Sequence, residues 1–339
     1  MKTIVPAVTL ALGLAPAAHA DTNYSTLFAD QGIAGTIATL SAQPTLTSSD
    51  KMALGGAYFL SALELTMQVR YDYGMSDPET AYGIGLPFLR LPMPENPNAK
   101  PVTADIVETV FDLALADLAK SADVLSGIND DDAVAVPINF ADVWLDVDGD
   151  GQRSDLENAV PLFIHSFDLF APADQDLSLA PTVMFDTSDA AWLLAYAHTL
   201  SGAVHILAAS DPTDAIQRAM IDVAPMDDLR TSPLDSWMDE SDVRSLDALA
   251  AFVLLLEGQP NPEHTRAAHA HWLNAIDANK DFWRRLDAET DDKLEFLPNE
   301  RQVSATGLPF PAGVGTAWQS VLADIEDVLN GNQLLPHWR

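Results

Sequence analysis

Residues 146–157 read Asp-Val-Asp-Gly-Asp-Gly-Gln-Arg-Ser-Asp-Leu-Glu. Three carboxylates alternate along them (Asp146, Asp148, Asp150), Gly151 follows, and Glu157 closes the stretch. Short alternating carboxylates present oxygen atoms to a common interior point. That is the chemistry of a hard cation, and calcium takes roughly six to eight oxygens at ~2.3–2.6 Å. Gly151 suits the sharp turn such a wrapping needs, because a residue without a side chain adopts it cheaply. A random acidic run does not set a glycine sixth and a glutamate twelfth around alternating aspartates.

The spacing resembles the calcium-binding loop of the EF-hand family, and the resemblance covers residues 146–157 alone. It implies side-chain oxygens from Asp146, Asp148 and Asp150, the backbone carbonyl of Gln152, a hydroxyl or a held water at Ser154, and both oxygens of Glu157. Two positions depart from the family pattern. Arg153 stands where a branched apolar residue pairs with a second loop, and Asn158 stands where an apolar residue follows the closing glutamate. Both departures imply a solitary loop. Asp130-Asp131-Asp132 lacks the alternation and the glycine, so it does not supply a partner loop.

Histidines are the other metal-capable residues. His198 and His205 lie seven apart, which on one helix separates them by ~10 Å. One ion cannot bridge that, and both read as partly buried histidines hydrogen-bonded in a core. His264 and His271 repeat the spacing, while His269 and His271 fall on different faces of a helix. A zinc or copper site there requires the helix to begin after His271. Nucleophilic and phosphate chemistry find no motif. Ser201-Gly202 has no Gly-x-Ser-x-Gly setting, and Gly83-x-Gly85 runs into Leu-Pro. Glu289, Asp291 and Asp292 beside Arg284 and Arg285 read as a salt-bridged helix end.

The N-terminus reads as a secretory signal: Lys2, an apolar run, then Ala18-His19-Ala20. Cleavage there places the mature chain in the periplasm or outside the cell, and no other stretch is an unbroken apolar run long enough to span a bilayer. The formal charge is −33, or −34 once Lys2 leaves with the signal. That field disfavours nucleic acid and anionic lipid and attracts cations, a basic protein or a cationic ligand. No cysteine is present, so disulfides and thiolate metal sites are excluded.

These residues must be positioned by helices, since helical periodicity dominates and strand signals are almost absent. Thr47-Ser48-Ser49-Asp50 should cap a helix ending near Gly74, and a second should span 103–126. Asp186-Thr187-Ser188-Asp189 should cap an apolar helix ending near Asp211-Pro212, with later helices at 213–222, 240–257, 262–289 and 316–330. The loop should sit between a short incoming helix and a helical stretch from Leu156 to Phe167. The expected fold is all-α, a multi-helix bundle or helical array. It is one domain over 21–339, with 21–145 and 158–339 as possible halves.

The expected function is an exported calcium-binding protein of the cell envelope, the ion structural and chemistry absent. Two other classes stay open: an extracytoplasmic hydrolase stabilised by calcium, and a helical interaction module with an acidic groove. A deep pocket holding two close carboxyls of raised pKa distinguishes the first of these, and a long concave surface the second.

Overall fold

The computed structural model describes residues 22–75, 93–160, 181–211, 213–214, 216–217, 258–307 and 311–335. The signal segment, the helix expected at 240–257 and most of the one at 213–222 lie outside them. Among the described residues the chain is mostly helical: α1 (Tyr24–Ser41), α2 (Ser48–Asp72), α3 (Ile106–Ser126), α4 (Thr187–Ala209), α5 (Pro262–Ala288) and α6 (Val314–Leu329). Each helix from α2 onward packs against the one before it.

Local chemistry explains where the helices begin. Thr47 and Asp50 exchange hydrogen bonds as a capping box at the start of α2, and Asp186 and Asp189 do the same for α4. Asn261 caps α5, whose first residue is Pro262. α2 and α3 run antiparallel and approach closely. The Ser121 hydroxyl donates to the Gly55 carbonyl at 2.8 Å, and Ser61 donates to Asp117 at 2.6 Å. A Cβ at Gly55 would lie 2.5 Å from Leu125 Cγ, so only glycine permits this contact.

α1 was not expected from the sequence. It is kinked at Gly32, where the backbone takes φ 63°, ψ −170°. A two-stranded antiparallel sheet was not expected either: β1 (Val136–Asn139) pairs with β2 (Thr182–Phe185), Ile138 facing Val183. The core gathers residues from both sides of the acidic loop, among them Phe28, Ile33, Leu54, Met67, Val136, Val147 and Leu193. By length and composition α4 could cross a membrane, but here it lies between α3 and α5.

Candidate metal site

The acidic loop is entered from β1 through one turn of 3-10 helix (Phe140–Asp142), and not from the short helix expected. Pro137 explains this, since it supplies no N–H for a helix and sits in a strand with a single partner. A second 3-10 turn covers Asp155–Glu157, and residues 161–167 of the expected outgoing helix lie outside the described residues. An isolated antiparallel bridge closes the base of the loop: Trp144 faces Asn158, the Leu145 N–H donates to the Glu157 carbonyl at 2.9 Å, and the Ala159 N–H donates to the Val143 carbonyl at 3.0 Å.

Within the loop, Asp146, Asp148 and Glu157 converge, each offering an oxygen within 4.8 Å of the others. Backbone N–H groups orient them. Gly151 donates to Asp146 Oδ2 at 3.0 Å and Asp150 to Asp148 Oδ1 at 3.1 Å. Glu157 is 1% exposed; its Oε1 accepts from Val147 N at 2.8 Å and its Oε2 from Ser154 N at 2.7 Å. Gly149 and Gly151 take φ of 73° and 71°, the left-handed turns that let the chain wrap.

Asp146 Oδ1 is buried without a hydrogen-bond partner. Burial, with the charges of Glu157 and Asp148, holds the Asp146 carboxyl above the usual carboxylate range. A buried, partnerless carboxylate oxygen beside two more carboxylates is an arrangement that a cation relieves.

Of the four acidic residues that the sequence assigned to the ion, Asp146, Asp148 and Glu157 converge. Asp150 instead caps the turn, its Oδ1 accepting from Gln152 N at 2.7 Å.

Two helices grip the loop from residues that the sequence reading passed over. Glu64 on α2 accepts the Asp146 N–H at 2.8 Å, and Gln68, one turn later, donates to the Asp146 carbonyl at 2.7 Å. Burial, then the negative charge of Asp146 and Glu157, pushes the Glu64 carboxyl up to about 7. On α1, Ser25 donates to Asp142 at 2.6 Å, the Ala29 carbonyl accepts the Trp144 indole N–H at 3.2 Å, and Gly32 leaves room for the same indole. Residues 25, 29 and 32 fall on one helical face.

A second acidic group brings together Asp186, Glu289 and Glu295, with oxygens again within 4.8 Å of one another. Asp189 lies nearby and is fully buried; burial and the charges of Asp186, Glu289 and Glu295 hold its carboxyl well above normal. Burial and the Asp186 charge raise Glu289 to about 7, and Gln302 Nε2 donates to Glu289 Oε2 at 3.0 Å. The sequence placed Glu289 at a salt-bridged helix end, and Arg284 and Arg285 do pair there, with Asp281 and Asp130. Glu289 faces the cap of α4 instead. Two cavities among the described residues, ≈ 230 and ≈ 70 Å³, are lined from residues 283–316 and include none of Asp186, Asp189, Glu289 and Glu295.

Compared with known proteins, the chain matches no family model, no curated protein and no solved structure. The functional reading therefore rests on the geometry alone.

Proposed function

We propose that this is an exported calcium-binding protein whose solitary EF-hand-like loop holds a structural ion, and that it serves as a binding or structural protein of the cell envelope. The observation that carries the reading is the buried, partnerless Asp146 Oδ1 beside Asp148 and Glu157. The three converging carboxylates form the first part of the shell, and the Asp150 carboxylate, the Gln152 backbone carbonyl and Ser154 would complete it. Calcium suits the loop better than magnesium, which demands near-octahedral geometry and sheds water reluctantly. A loop anchored on α1 and α2 is poised to stiffen those helices and not to open a surface, which favours a structural over a sensing role.

Calorimetric titration of chelator-stripped protein with calcium, beside Glu157→Gln and with a melting curve at each end, tests this. One strong site lost in the variant, with a rise in melting temperature on binding, supports the reading. No heat and no thermal shift in the wild type would reduce the loop to an acidic turn.

A further inference from the structure

Four histidines line the seam between α4 and α5. His198 Nδ1 and His271 Nδ1 share a hydrogen bond at 3.0 Å, and His205 Nδ1 and His264 Nδ1 share another at 2.9 Å, as expected for partly buried histidines. Position rises by seven along α4 as it falls by seven along α5, the signature of an antiparallel pair in register. The His205 and His271 rings, with centroids 5.4 Å apart, join the two pairs into one ladder. The histidines occupy seam positions, spaced with the buried residues Ser201 and Gly202 on α4 and Ala268 and Ala275 on α5.

Such seam positions are ordinarily apolar, because a buried polar group needs a partner. The closeness is built in. A Cβ at Gly202 would stand 2.3 Å from the Trp272 indole nitrogen, so glycine there lets the indole lie against α4 and the helices approach. Burial, with the neighbouring imidazoles at His205 and His271, holds His198, His205 and His271 below the usual histidine range.

Two imidazole nitrogens that share one ion at ~2.0–2.1 Å lie ~2.9–3.4 Å apart for angles of ~90–110°. Both pairs fall within the short end of that range. We infer that the ladder binds imidazole-preferring divalent ions of the zinc, copper and nickel class, one to each facing pair, with the remaining coordination positions open to water. Neither helix could do this alone; the site exists only across the seam. Its nitrogen donors select borderline metals, and the oxygen-rich loop selects a hard one, so the two sites do not compete. All four rings are only partly buried, which leaves an entry path.

The test is a zinc titration of the tag-free chain in saturating calcium, which keeps the acidic loop filled. Wild type should take up about two zinc ions. The double variant His198→Gln with His205→Gln should bind more than ~10-fold more weakly, since loss of even an outer partner of a metal ligand costs at least that. His269→Gln, whose exposed ring meets the Leu329 carbonyl instead, should bind as the wild type does. Copper(II) electron paramagnetic resonance of the wild type needs no variant and should show nitrogen superhyperfine splitting. Unchanged zinc affinity in the folded double variant, or an all-oxygen copper spectrum, would overturn the inference.

Discussion

Glu64 on α2 accepts the backbone N–H of Asp146 at 2.8 Å, and so fixes the first residue of the acidic loop from a helix eighty-two positions upstream. Removing that acceptor strands a half-buried donor. Glu64→Ala should cost about 1–3 kcal/mol, read as a lower denaturation midpoint in chelator, and should weaken calcium binding. Glu64→Gln keeps an acceptor in place and should restore most of the stability. Equal midpoints for the two variants would show that the N–H finds another partner.

Gly32 and Trp144 make a second anchor. A Cβ at Gly32 would lie 2.8 Å from Trp144 Cζ2, and its backbone conformation is one that essentially only glycine adopts. Gly32→Ala should therefore destabilise by about 1–3 kcal/mol and displace the indole. The intrinsic fluorescence change on adding calcium should shrink with it. A variant that melts like the wild type would mean that α1 is straightened without loss.

The loop's carboxylates are not equivalent. Asp146 has a buried, partnerless oxygen, whereas Asp150 caps Gln152 N. Asp146→Asn should weaken calcium binding by more than ~10-fold and Asp150→Asn by less, because affinity follows the charge and rigidity of the ligands already in place. Calorimetry in low-salt buffer separates them, and the reverse order would show that the loop rearranges around Asp150 on binding.

The cluster at the start of α4 should make stability depend on pH. Glu289 is raised from 4.5 to about 7, so the folded state favours its protonated form. Its contribution is complete below pH ~4.5 and is lost as pH rises through ~7. Glu289 is partly open to solvent, so screening leaves about 1 kcal/mol of the full effect. Glu289→Gln should raise the urea midpoint at pH 8 and leave it unchanged near pH 4. Parallel pH profiles for the two proteins would assign the dependence elsewhere.

Much of the helical frame is legible in the sequence because it is written locally. The cap pairs Thr47–Asp50 and Asp186–Asp189 sit where the residue types place them, and the helix ends follow. What escaped is written at a distance. β1 and β2 are four residues each, and one carries Pro137, so neither gives a strand signal until they meet. α1 is obscured by Gly32, whose value appears only against Trp144. Glu64 and Gln68 resemble any polar pair on a helix face until the loop folds onto them. His198 and His205, like His264 and His271, read as too far apart on their own helix to share an ion, because their pairing needs the antiparallel register of the other helix.

The Phe140 N–H meets the Pro181 carbonyl at 3.4 Å, directly beside the pairing of Asn139 with Thr182. The excursion that carries the acidic loop thus has its two ends side by side. Its closure is settled at that neck, and lengthening a closed excursion costs little, ~0.6 kcal/mol for each doubling. The near side of the excursion has no such freedom: Val143, Leu145 and Val147 lie in the core and Trp144 lies against Gly32, so an insertion between Phe140 and Val147 would pull the acidic loop off the helices that hold it.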